Sequence, residues 1–386
     1  MDGLRPDGHS VVDPDGLLEF SVVFTDRSLN HMSQKFQQVM RDISDIAREV
    51  YGAEAIAIVP GGGTYAMEAV ARQFARDANA LIVRNGWFSF RWSQIHDAGQ
   101  FDGAAGVEMA RPAGNEPQPA FAPPPIEDVV AEIRASRPGV VFAPHVETSA
   151  GMILPDAYIR ALADAAHEVG ALMVLDCIAS GAIWVDMGET GVDVLISAPQ
   201  KGWSAPPAAG LVMFSVRGLE RLEATTSDSF ALDLKKWRAI MKAYEDGGHA
   251  YHATLPTDAL LTLRDAMVET REMGFAAAKA AQWDLGRKVR AELAARGFRS
   301  VAAEGFAAPG VVVSYTDDAE IQNGRKFLAE GMQIAAGVPL QVGEGADFRT
   351  FRLGLFGLDK LRNVDATLAR VTAVLDKVVG QGPLVA

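Results

Sequence analysis

Short, unbroken apolar runs punctuate the first part of the chain: AIAIVP (55–60), ALIVRN (80–85), VVFAPH (140–145), ALMVLD (171–176), VLISAP (194–199) and LVMFSV (211–216). They are strand-length, rich in branched aliphatic residues, and none alternates apolar with polar positions. That pattern predicts strands buried on both faces, as in a mostly parallel sheet. Between the runs, stretches at 64–76, 126–135 and 155–169 are amphipathic at helical spacing. Strand and helix alternate, so the expected fold class is α/β, a large domain built on a mostly parallel central sheet. After Pro256 the texture changes. A long helical pattern covers 257–296, followed by GVVVSYT (310–316), a helix at 321–330, FRLGLF (351–356) and a last helix at 363–379. The expected organisation is an N-terminal arm over 1–30, a large domain over 31–256 and a smaller C-terminal α+β domain over 257–386. Several prolines in 111–125 mark a surface loop.

Composition narrows the function. A length of 386 residues is enough for two cores. The formal net charge is -13, with no run of Lys or Arg that tracks a phosphate backbone. Nucleic acid and anionic membrane are therefore poor partners. No apolar run is long enough to span a bilayer. Cys177 is the single cysteine, which forbids an internal disulfide and fits a reducing compartment. The chain starts without the basic and apolar regions of a secretory signal, and a cytoplasmic location is expected. An acidic protein that handles anionic small molecules must place a few cations locally.

Binding sites in such sheets gather where the strands end. The first run ends in Pro60-Gly61-Gly62-Gly63-Thr64 and opens a helix. Three glycines there let backbone N–H groups crowd an anion at the positive end of the helix dipole, or simply make a tight turn. The second ends in NGWFSFRW, an aromatic cluster that either packs or supplies a ring to stack on a planar ligand. Next comes HVETSAG (145–151), with small hydroxyl side chains fit to bind a ligand or to cap a turn. ALMVLD ends in Asp176, a carboxylate that needs a cationic or donor partner if buried, such as a protonated pyridine nitrogen. In SAPQKGWSAPP, Lys201 follows a buried strand, where burial favours the neutral amine that Schiff-base chemistry requires. Arg352, inside the apolar FRLGLF, suits bidentate binding of a carboxylate.

Together these segments resemble the class V aminotransferases of fold type I, most nearly the alanine–glyoxylate and serine–pyruvate branch, with motifs in order over about residues 30 to 375. The resemblance implies pyridoxal 5′-phosphate as cofactor, bound as a Schiff base on Lys201. It implies that Gly62, Gly63 and Thr64 hold the phosphate, Phe88 rather than Trp87 stacks on the ring, Ser149 contacts the cofactor, Asp176 pairs with the pyridine nitrogen and Gln200 binds the cofactor beside Lys201. It further implies that Tyr251 and Thr254, in YHAT, complete the phosphate site of the neighbouring subunit in a homodimer, and that Arg352 binds the substrate carboxylate. The expected activity moves an amino group from a small α-amino acid (alanine, serine or aspartate) to a 2-oxo acid such as glyoxylate or pyruvate, by ping-pong kinetics.

Two departures from the family pattern stand out. The usual Pro-Gly-Pro is absent from the segment at 21–28, which carries Arg27, a candidate second cation for a phosphonate or phosphoserine-type donor. Gly62-Gly63-Thr64 replaces the more usual Ser-Gly-His. A cysteine desulfurase fits poorly, because Cys177 adjoins Asp176 at a strand end. A nicotinamide-dependent dehydrogenase would need GxGxxG and an acidic residue after the second strand. A silent relative has no need to keep Lys201, Asp176 and Arg352. His145, His249 and His252 match no metal-binding spacing, and packing roles are expected for them.

Overall fold

A computed structural model describes residues 15–380 apart from positions 23 and 26. Residues 1–14 of the expected N-terminal arm lie outside the described residues. Seven strands form the main sheet: β1 (Ala55–Pro60), β2 (Ala80–Arg84), β3 (Ala105–Met109), β4 (Val140–Pro144), β5 (Leu172–Asp176), β6 (Val194–Ser197) and β7 (Ala209–Phe214). Their order is β1-β7-β6-β5-β4-β2-β3. β7 runs antiparallel to both neighbours, and every other pair is parallel. The mostly parallel α/β sheet expected from the unbroken apolar runs is therefore present. Every residue of β4, β5, β6 and β7 is buried, as continuous aliphatic runs require.

Register places the chemistry. Pro144 and Ile196 both pair with Asp176, so β4, β5 and β6 finish level with one another. The loops that follow them, carrying residues 145–151, 177–181 and 198–205, emerge at one edge of the sheet. Helix α1 (Gln34–Tyr51) packs its buried Phe36, Val39, Met40 and Ile43 into the same core.

A second, antiparallel sheet comprises β8 (Val311–Tyr315), β9 (Ala335–Ala336) and β10 (Thr350–Gly354), with β10 in the middle. Its Val311, Val313 and Tyr315 share a smaller apolar cluster with Val146, Met152 and Ile153. Arg290 staples the two regions. Its guanidinium donates to the carbonyls of Gly151 (3.0 Å), Ala308 (2.8 Å) and Val311 (3.1 Å), while burial pushes its pKa down to about 10.

Three local expectations change. β3 was absent from the pattern of apolar runs because AGVEM lies at the sheet edge and is only partly buried. The helical pattern over 257–296 is two helices, Thr257–Met273 and Phe275–Ala295, broken at Gly274 with φ 90°. The first of them packs on α1, with Arg264 Nη1 2.7 Å from Asp42. Likewise 321–330 divides into Ala319–Gln322 and Arg325–Ala329 around Gly324 at φ 81°. Among the described residues, no helix is long and apolar enough to cross a membrane.

Candidate active site

A cavity of about 310 Å³ opens at the level edge of the sheet, lined among others by Gly62, Gly63, Thr64, Phe88, Thr148, Asp176, Gln200 and Lys201. Its floor begins at helix α2 (Gly63–Phe74). No side chain caps this helix, so its first N–H groups are open to an anion. The turn is tight at Gly63, where a Cβ would lie 2.5 Å from Ile178 Cδ1 and force that side chain to shift. The Thr64 hydroxyl accepts a hydrogen bond from Arg91 Nη1 at 2.9 Å.

Lys201 lies among aromatic rings. Its Nζ is 5.7 Å from the centroid of Phe88 and 5.6 Å from that of Phe356. Burial lowers its pKa; the charges of Arg352 and Arg91 push the same way, against Asp176 and Glu147. Asp176 is buried, and this raises its pKa to about 6. One carboxylate oxygen accepts the Ile178 N–H at 2.9 Å. Arg352, on β10, donates from Nε to the Ala336 carbonyl at 2.9 Å and holds its Cζ 5.6 Å from the Phe88 centroid. It is half-buried and has its pKa lowered by burial.

Phe88 owes its position to Glu147, a residue that sequence reasoning passed over. The aromatic segment forms helix α3 (Trp87–Gly99). The fully buried Glu147 carboxylate accepts from Phe88 N (3.2 Å), Ser89 N (2.9 Å) and Ser89 Oγ (2.7 Å). It also accepts from Ser149 N (3.1 Å) and Ser149 Oγ (2.7 Å). A carboxylate at a helix N-terminus satisfies both its dipole and its open N–H groups.

That knot consumes Ser149. Its hydroxyl donates to Glu147 and accepts from Trp87 N at 2.9 Å, so it is not among the residues lining the cavity. The neighbouring Thr148 lines it instead. Its hydroxyl is buried and has no protein partner, the usual mark of a group waiting for a ligand. In the turn at 148–151 the two adjacent hydroxyls thus part: that of Thr148 faces the cavity and that of Ser149 is bound to Glu147.

Tyr251 and Thr254 are exposed, joined to each other at 3.2 Å, and do not line their own chain's cavity. Arg27 is exposed and also stands apart from the cavity-lining residues. His145 is buried against Ser180 Oγ at 2.7 Å, and burial pushes its pKa down to about 3. His252 meets the Phe230 carbonyl and His249 faces His31. A larger cleft of about 990 Å³ lies beside Arg296, Asp317 and Arg349. There Arg296 is committed to Glu292 and Asp376, and Arg349 to the Asp317 carbonyl. Its size alone does not recommend it.

The residues present fit pyridoxal phosphate. The uncapped helix suits a phosphate, the unpartnered Thr148 hydroxyl a polar ring substituent, the buried Asp176 a ring nitrogen and the Lys201 amine an aldehyde. Comparison with known proteins agrees. A family model described as aminotransferase class-V matches residues 18–340. A 2-aminoethylphosphonate–pyruvate transaminase of Burkholderia ambifaria is 27% identical over 350 residues, covering 89% of this chain and 88% of its own. A Synechococcus protein called the small subunit of a soluble hydrogenase is also 27% identical over 350 residues, covering 90% and 87%. The structure of an alanine–glyoxylate aminotransferase from Nostoc sp. superposes with a TM-score of 0.75 at 23% identity, covering 89% and 88%.

Proposed function

The chain belongs to the class V aminotransferase family, and from that premise we propose that it transfers an amino group from a small α-amino acid to glyoxylate or pyruvate. The cofactor is pyridoxal phosphate. When bound, it supplies an aldehyde that captures amines and a ring that stores the electron pair released at the donor's Cα.

The convergence of Lys201, Asp176 and Phe88 on one cavity carries this reading. Lys201 binds the cofactor covalently through its amine, which burial keeps prone to lose its proton. The same amine, when free, would act as the base that takes the proton from the donor's Cα. Asp176 holds a proton on the ring nitrogen, and its desolvated carboxylate gains a cationic partner in doing so. Phe88 covers the ring face, and Thr148 rather than Ser149 hydrogen-bonds the cofactor. Arg352 binds the donor's carboxylate and orients its Cα toward Lys201. Tyr251 and Thr254 serve the site of the other subunit in a homodimer, a role supported by their exposure and their absence from the lining of their own cavity.

The name of the Burkholderia relative favours a second reading, in which the donor is an aminophosphonate. One experiment addresses both. Holoenzyme is mixed with alanine, serine, aspartate or 2-aminoethylphosphonate, and its visible spectrum is followed before and after glyoxylate or pyruvate is added. A donor that bleaches the cofactor band, restored by the oxo acid, identifies the half-reactions. If no amino compound changes the band, the transaminase reading is wrong.

A further inference from the structure

Two cations line the cavity, Lys201 and Arg91, and the reading above leaves Arg91 without a task. Several arginines elsewhere in this acidic chain are paired with carboxylates: Arg72 with Glu68 and Asp228, Arg111 with Asp128, Arg134 with Glu168. Arg91 instead touches only the Thr64 hydroxyl at 2.9 Å and the Phe88 ring, 5.4 Å from its Cζ. Among the described residues no carboxylate pairs with it.

The direction of that hydrogen bond is informative. Thr64 Oγ accepts from the guanidinium, so the hydroxyl keeps its own proton for another acceptor. Beside it stand the uncapped N–H groups at the start of α2. Beyond the bond between Arg91 and Thr64, guanidinium, hydroxyl and amides thus form a donor set with no carboxylate paired to it among the described residues. The buried, unpartnered Thr148 hydroxyl on the same cavity is an independent sign that a polar ligand completes this space. A chain with net charge -13 repels a phosphate dianion at long range, and a local cation offsets this.

We propose that Arg91 is the cation of the cofactor-phosphate subsite, acting with Thr64 and the amides of Gly62, Gly63 and Thr64. In this chain, where threonine ends the glycine turn, Arg91 provides the charge that the turn lacks. The inference rests on the assignment of the cavity to pyridoxal phosphate.

Full-length chain stripped of cofactor is titrated with pyridoxal phosphate and, separately, with pyridoxal, following the visible band in wild type, Arg91→Gln and Arg91→Lys. Loss of a charge-assisted pair predicts about tenfold or greater weakening of pyridoxal phosphate binding in Arg91→Gln. Pyridoxal lacks the phosphate and should lose far less affinity in the same variant than pyridoxal phosphate does, and Arg91→Lys falls between for pyridoxal phosphate. Equal loss for both ligands would overturn the proposal and make Arg91 a support for α3. Unchanged pyridoxal phosphate affinity, with or without a weakened donor, would also overturn it. If wild type develops no band with either ligand, the cofactor assignment itself fails and the inference falls with it.

Discussion

Asp176 and Lys201 face one cavity, and the same burial displaces their ionisation in opposite senses, each toward its neutral form. For Asp176 this has a measurable consequence. Its folded pKa, about 6, lies above the ordinary value of 3.8, so between those values the native state binds more protons than the unfolded one. Cofactor-free protein is therefore favoured by this group below about pH 4 and loses that contribution as pH rises through 6. The difference is on the order of 3 kcal/mol. Urea unfolding of the cofactor-free wild type and Asp176→Asn across pH 4 to 7 should show the wild type losing ground to the variant. Parallel pH curves would contradict the assignment. Asp176 and Lys201 were legible in the sequence because a polar residue closing a buried strand has few other reasons to be there. That Thr148 rather than Ser149 lines the cavity was not, since the turn after HVE presents two adjacent hydroxyls and only the fold commits Ser149 to Glu147.

At the level of elements, α3 is held to the 147–149 loop by one buried carboxylate with five hydrogen bonds. Truncation to alanine leaves those donors buried and unpaired. Glu147→Ala should cost roughly 3 kcal/mol in urea unfolding, and Glu147→Gln less, because the amide keeps one acceptor oxygen. Full stability of Glu147→Ala would show that α3 is fastened by packing alone. The buried strands were readable for a simple reason: aliphatic runs covered on both faces announce themselves. The edge strand β3, partly exposed, does not, and neither does α3, whose glycine and aromatic residues resemble a loop until Glu147 anchors them. The break at Gly274 is equally hidden, since the apolar pattern continues on both sides of it.

For the whole molecule, the proposed sharing of active sites between subunits makes a quantitative prediction. A Lys201→Ala chain and a Thr254→Ala chain each lack one part of every site in their own homodimers. Re-associated at equal amounts, half of the dimers are mixed, and each mixed dimer has one of its two sites intact. About a quarter of wild-type activity should return; no recovery despite mixed dimers would place Thr254 outside the partner's site. The central claim concerns a single bond, the one between Lys201 and the cofactor. Borohydride reduction of the holoenzyme, followed by peptide mass mapping of wild type and Lys201→Ala, tests it directly. The account predicts one cofactor-derived adduct per chain, on the peptide that contains Lys201, and none in the variant. An adduct on another lysine in wild type, or equal labelling of the variant, would contradict it.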